Sequence, residues 1–145
     1  MKHLISHRGN INGKNPLFEN NPHQIMACLK MGLEVEIDVW KIEDQWFLGH
    51  DTPQNPIDES FLLQDKLWCH AKNYDALHAM KTLDIHCFWH EKDMVTITSR
   101  GFLWAYPGNQ PLKETIAVMP ELFDDDISQC LGICSDYILK FKENK

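Results

Sequence analysis

The feature that most constrains this chain is a run in which apolar and acidic residues alternate, Leu33-Glu34-Val35-Glu36-Ile37-Asp38-Val39-Trp40. A polar break at Glu43-Asp44-Gln45 follows, and then a second run, Trp46-Phe47-Leu48-Gly49-His50-Asp51. β-Branched and aromatic residues on both sides of a short charged break predict a β-hairpin. Alternation with period two puts Glu36, Asp38 and Trp40 on one face. Acids are depleted from strands, and two of them side by side call for a cation, a metal or solvent. The register then decides what else reaches them. A two-residue turn at Glu43-Asp44 places Glu36 opposite Asp51 and turns His50 to the other side. A three-residue loop at Glu43-Asp44-Gln45 pairs Ile42 with Trp46, Trp40 with Leu48 and Asp38 with His50. The longer loop is the expected one, because it keeps Trp46 and Leu48 facing Trp40.

Around this hairpin, strand and helix signals alternate. Leu4-Ile5-Ser6 reads as a short buried strand, followed by a loop rich in Asn, Gly and Pro from Asn10 to Asn21. Asn21-Pro22-His23-Gln24 opens a helix with an N-cap residue and a proline in its first turn, and Gly32 stops it. A short helix is expected over Phe61 to Leu63, a strand over Lys66 to Cys69, a helix over Tyr74 to Leu83 capped by Asn73, and a strand over Ile85 to Trp89. Strands then follow at Val95 to Thr98, Gly101 to Tyr106 and Thr115 to Met119, with a short helix at Ile127 to Leu131 and a last strand at Gly132 to Tyr137. About eight short strands with few helices predict an α/β protein: a compact, trimmed TIM-type (βα) barrel forming one domain over residues 1–145. Such barrels usually need about 250 residues, so incomplete closure is the alternative.

A net charge of −7 argues against a nucleic-acid surface, which needs clustered cations. No apolar run approaches the roughly 18 residues of a transmembrane helix. The first strand begins almost at Met1, so no signal peptide is read, and five cysteines in no disulfide-like pattern fit a reducing compartment; a cytoplasmic protein is expected. The oligomeric state is left open.

The polar residues that carry chemistry cluster where strands end. In α/β folds the carboxyl ends of strands are where ligands bind. His7-Arg8-Gly9 ends the first strand, His70-Ala71-Lys72-Asn73 and His90-Glu91-Lys92-Asp93 end later ones. A zinc site from Cys69, His86, Cys87 and His90 is disfavoured, because residues four apart on a strand lie about 13 Å apart and cannot share one ion.

His7-Arg8-Gly9, Glu19-Asn20, Glu36-Ile37-Asp38 and Gly49-His50-Asp51, in this order and spacing, resemble the N-terminal signature of glycerophosphodiester phosphodiesterases and related phospholipase C-like phosphodiesterases. Gly132 to Tyr137 resembles that family's closing strand. The resemblance implies that His7 and His50 form a general acid and base pair, that Glu36 and Asp38 hold a metal, that Arg8 contacts the phosphate, and that Glu19 is an acid near the metal. It departs at His70, which stands where a carboxylate usually precedes the phosphate-contacting lysine by two residues; Lys72 keeps that lysine's place. The implied cofactor is a divalent cation, Mg, Ca or Mn. A site of Glu36, Asp38 and His70 is less anionic and favours a metal that accepts imidazole, such as Mn or Zn. The loss of the carboxylate could instead abolish metal binding, and His70 could simply pack against Trp68 and Trp89. The resemblance implies a hydrolase acting on a small glycerophosphodiester-like substrate; the alternative is a phosphate-binding module of the same fold without turnover.

Overall fold

The computed structural model describes residues 1–143. Strand β1 (His3–His7) leads through the Asn-rich loop to helix α1 (Pro22–Lys30), where the Asn21 side chain accepts hydrogen bonds from the backbone N–H of His23 and Gln24. The hairpin strands β2 (Glu34–Ile42) and β3 (Gln45–Leu48) follow, then β4 (Asn55–Ile57), α2 (Glu59–Leu62), β5 (Leu67–Ala71) and α3 (Tyr74–Thr82). Asn73 caps α3 by accepting from the Ala76 N–H at 3.1 Å. Next come the two-residue β6 (Cys87–Phe88), β7 (Val95–Ile97), β8 (Leu103–Ala105), β9 (Thr115–Val118), β10 (Gly132–Ser135) and helix α4 (Ile138–Glu143).

The strands form one ten-stranded sheet. Its parallel portion runs β6-β5-β2-β1-β10-β9-β8, with β3 and β4 continuing antiparallel from the end of β2 and β7 antiparallel on β8. Side-chain alternation divides the core in two. Val35, Ile37, Val39, Leu67, Cys69 and Ile133 point outward onto the helices. Ile5, Trp68, Phe88, Trp104, Ile116 and Cys134 meet on the inner face. Phe88 and Trp104 come from strands at opposite ends of the parallel portion, yet their rings lie 4.7 Å apart, so the sheet curls with this face inside.

The expected closed barrel is not formed. β6 and β8 are not ladder neighbours, and Ser99 bridges the seam instead, its N–H donating to Cys87 O at 2.8 Å and its Oγ accepting from the Cys87 N–H at 2.9 Å. Only residues 89–94 separate β6 from β7, too few for a crossover helix, so the chain turns back antiparallel. The α/β class holds, and the barrel is an open, curled sheet.

The hairpin register also differs from the expected one. Ile42 pairs with Gln45, Trp40 with Phe47 and Val39 with Leu48, which leaves Glu43-Asp44 as a two-residue turn. Glu43 takes φ of 56°, the left-handed conformation such turns require, although a glutamate gives no hint of it in the sequence. The helix expected at Ile127 to Leu131 is absent. Asp126 there accepts from the Ser128 N–H at 3.0 Å, holding a turn, and a single 3-10 turn at Pro120–Leu122 lies upstream.

Candidate functional site

Parallel pairing brings the inward-facing ends of three strands together. His7 closes β1 opposite Glu36 of β2, and Asp38 of β2 lies opposite His70 of β5. Lys72 follows β5, Arg8 follows β1 and His50 follows β3. All except Asp38, which lies buried beneath, line one cleft of about 800 Å³ at the carboxyl ends of the strands. Among the described residues no carboxylate pairs with Lys72.

His50 arrives by a route the sequence did not reveal. The ladder between β2 and β3 stops at Val39 and Leu48, and the chain leaves it in a tight loop: Gly49 N–H donates to Asp38 O at 3.1 Å and Gln54 N–H to Leu48 O at 3.0 Å. A Cβ at Gly49 would lie 1.9 Å from Thr52 O, so only glycine fits. This loop swings His50 back until Nδ1 is 3.6 Å from Asp38 Oδ2. The proximity of Asp38 and His50 is thus real, but strand parity does not cause it.

Arg8 sits at the centre of the site. Its Nε lies 3.1 Å from Asp38 Oδ2 and its Nη1 3.5 Å from Glu19 Oε1, while Nη2 donates to His50 Nδ1 at 2.7 Å. Its backbone is held at φ of 60°, with its N–H donating to Glu36 O and its carbonyl accepting from Asn20 N–H, both at 2.9 Å. A β-sheet neighbour and a loop together over-determine a conformation an arginine seldom adopts. Asn20, also left-handed at φ of 58°, exchanges two 2.9 Å hydrogen bonds with Asp38 and fastens the loop to β2. Glu19 touches Arg8 and Asn10 rather than the paired carboxylates, so it orients the guanidinium.

Glu36, Asp38 and His70 each offer one ligand atom within 4.8 Å of the others. Glu36 Oε2 and Asp38 Oδ1 are buried with no hydrogen-bond partner. His70 Nε2 donates to the His90 carbonyl at 2.9 Å, so a neutral ring presents the lone pair of Nδ1 to Asp38 Oδ1 at 3.3 Å and Glu36 Oε1 at 3.9 Å. Lone pair facing lone pair across a buried gap is unfavourable, and a cation resolves it. The donor set of two carboxylates and one imidazole therefore fits a divalent metal. The ring also stacks on Phe88 at 5.1 Å, which fixes its plane; Phe88, and neither Trp68 nor Trp89, is the packing partner.

The site's charges are tuned by burial and by each other. Burial, reinforced by the Asp38 charge, pushes the Glu36 carboxyl up against the pull of His7, Arg8 and His70. Asp38 is as deeply buried, yet His50 and His70, whenever their rings are protonated toward it, together with the Arg8 guanidinium outweigh the burial and hold it well below the usual carboxylate range. For His7, burial disfavours the imidazolium, but the hydrogen bond to Asp136 and the charge of Glu36 win and raise its pKa.

Asp136 escaped the sequence reading. Its Oδ1 accepts from His7 Nδ1 at 2.7 Å and from Asn10 Nδ2 at 2.8 Å. A carboxylate only accepts, so His7 carries its proton on Nδ1 and leaves Nε2 free, 3.8 Å from Glu36 Oε2. The available signal was a Ser-Asp pair ending the closing strand, beside β1 in the sheet. The cleft's far wall, Trp104, Tyr106, Val118 and Met119, was likewise not anticipated.

No protein-family model matches this chain, and no curated protein or solved structure matches it. The fold and site define it as an α/β protein with a buried carboxylate-histidine cluster at the carboxyl end of a curled parallel sheet. Among the described residues no helix is long and apolar enough to cross a membrane.

Proposed function

We propose that the chain is a phosphoric diester hydrolase acting on a small phosphodiester of the glycerophosphodiester kind. The observation that carries this reading is the pair of unpartnered buried oxygens on Glu36 and Asp38, beside an imidazole lone pair and a cleft lined by His7, Arg8, His50 and Lys72. Glu36, Asp38 and His70 would hold a divalent cation, which when bound supplies positive charge against phosphoryl oxygens and favours deprotonation of a hydroxyl. Arg8 and Lys72 neutralise the remaining phosphoryl charge. His7, its Nδ1 proton fixed on Asp136, takes a proton at Nε2 from the attacking hydroxyl or water. His50 serves as the acid only when Nδ1 is also protonated, and Arg8 now donates to that nitrogen. A phosphate that draws Arg8 away frees Nδ1 beside Asp38, so substrate binding itself prepares the acid that protonates the leaving oxygen. All five cysteines are free, which supports the expected reducing, cytoplasmic setting.

A second reading is a phosphate-binding module without turnover. It is favoured by the closeness of His70 to Asp38, since an imidazolium there would take the cation's place. Turnover of a generic aryl phosphodiester, with Mn or Mg and after chelation, decides between them. Metal-dependent release of the phenol supports the hydrolase; phosphate binding with no release under any metal supports the module.

A further inference from the structure

His90-Glu91-Lys92-Asp93 ends β6 in a run of polar residues to which the chemistry above gives no part. All four line the cleft, and His90 is the buried one among them. Residues 89–94 stand where a full barrel would carry a crossover helix, and this short turn is tied down at both ends. Trp89 O accepts from Thr96 Oγ1 at 3.0 Å, and Met94 O accepts from Tyr106 N–H at 2.9 Å. The His90 side chain closes the middle. Its Nε2 donates to the Asp93 carbonyl at 2.7 Å, and its ring meets Tyr106 edge-on at 5.8 Å. The His90 carbonyl, held between these anchors, is the acceptor for His70 Nε2 at 2.9 Å.

That acceptor decides between two neutral forms of His70. With the proton on Nε2, Nδ1 turns a lone pair to the buried, unpartnered Asp38 Oδ1, 3.3 Å away. With the proton on Nδ1, the ring would instead donate to that oxygen, satisfy it and leave no imidazole ligand facing the carboxylates. Asp38 by itself favours this second form, because a hydrogen bond to a buried carboxylate is among the stronger ones. Only a well-placed acceptor for the other nitrogen holds the ring in the first form. Stacking on Phe88 at 5.1 Å fixes the plane of the ring but does not choose between its nitrogens.

We propose that His90 is a positioning residue: by bonding across its own turn, its side chain holds its carbonyl against His70 Nε2 and keeps the Nδ1 lone pair turned to the carboxylates, where a divalent cation would bind. The inference rests on the metal reading of Glu36, Asp38 and His70 for its purpose, but the form of the His70 ring is measurable without metal.

The test uses metal-free protein with isotopically labelled histidine at about pH 8.5, where a free imidazole is neutral. Nitrogen chemical shifts, with His70 assigned against His70→Gln, report which ring nitrogen carries the proton. In the wild type it should be Nε2. His90→Leu keeps bulk against Tyr106 but has no donor, so the His70 proton should move largely to Nδ1. Its Mn affinity in calorimetry should fall about tenfold, as loss of a group that orients a metal ligand typically costs. His90→Gln is similar in size and retains an N–H for the Asp93 carbonyl, so it should keep the wild-type ring form and bind Mn within about twofold of the wild type. If His90→Leu does not fold, His90→Ala gives the same comparison. A wild-type His70 protonated on Nδ1 overturns the proposal. So does a His90→Leu protein that keeps the proton on Nε2 or binds Mn as the wild type does, or a His90→Gln protein no better than His90→Leu. The expected ring forms in all three proteins, with neither Mn nor Mg bound by any, would sink the metal reading and leave the positioning of His70 standing. Mn binding by a wild type protonated on Nδ1 would do the reverse.

Discussion

At the amino ends of the parallel strands, Glu34 accepts from His3 Nδ1 at 2.9 Å and from Trp68 Nε1 at 3.3 Å, and the rings of Trp68, Phe102 and His86 close over the pair. Two residues further along β2, Glu36 meets His7 and His70 at the carboxyl ends and keeps an oxygen without a partner. The residue types are the same and the consequences are opposite. His86, hydrogen-bonded to Thr98 at 2.8 Å, is pushed down to about 4 by burial, then by Arg100 and His3, and so stays neutral. His7, which lines the cleft, is raised because a carboxylate holds its Nδ1. A buried histidine surrounded by rings and hydroxyls serves packing, whereas one facing carboxylates with spare lone pairs is poised for protons or metal.

The most direct way to break this comparison is to remove the ring that faces the cleft. His7→Ala and His50→Ala should each lower aryl phosphodiester turnover at least about a hundredfold with the thermal midpoint little changed, as loss of a general acid or base typically does. Unchanged turnover in either would remove that residue from the mechanism. Asp136→Asn tests the positioning of His7 and should cost about tenfold to thirtyfold. Because Asp136 raises the His7 pKa, its loss should also move the ascending limb of the pH–rate profile to lower pH; a purely structural role would leave the limb in place.

His70→Ala should weaken Mn binding by about tenfold or more in calorimetry, and His70→Glu should shift preference towards Mg and Ca. Metal binding unaltered by both would return His70 to packing on Phe88. The smallest effect belongs to the other end. His86 is neutral in the fold and protonates near its ordinary 6.5 once unfolded, so the unfolded chain takes up the extra proton between pH 6.5 and about 4. Stability should therefore fall as pH drops through 6.5 and level off below about 4. The part owed to His86 should be about 1 kcal/mol, discounted for screening from the roughly 3 kcal/mol of the full shift. In His86→Gln that increment should vanish from the pH dependence of urea unfolding; an identical slope in variant and wild type would show that His86 contributes none of it.

Much of the site was legible because strand parity is local. Alternation alone puts Glu36 and Asp38 on one face of β2 and His70 and Lys72 on one face of the chain through β5, since successive side chains must oppose each other across a pleated backbone. Caps were equally readable: Asn21 and Asn73 bond their own helices within three residues. His50 is the instructive case, because the right residue was reached through the wrong register. The sequence admits a two-residue turn as well as a three-residue loop, and nothing in Glu43-Asp44 announces the positive φ that permits the shorter one.

What the sequence by itself determined, then, is whatever depends on neighbours a few residues away: element type, face, caps and the acids that had to find a cation. Tertiary structure alone decided the rest. Asp136 lies 129 residues from His7, and only the pairing of β1 with β10 brings them to 2.7 Å. The seam between β6 and β8 stays open because the chain spends too few residues there to cross over, a property of the whole strand order. The lone pairs of His70 and Asp38 oppose each other only because β2 and β5 pair in one register and the His90 carbonyl takes the other ring nitrogen. Such contacts depend on which distant segments the burial of the two cores brings together, and no local preference encodes that.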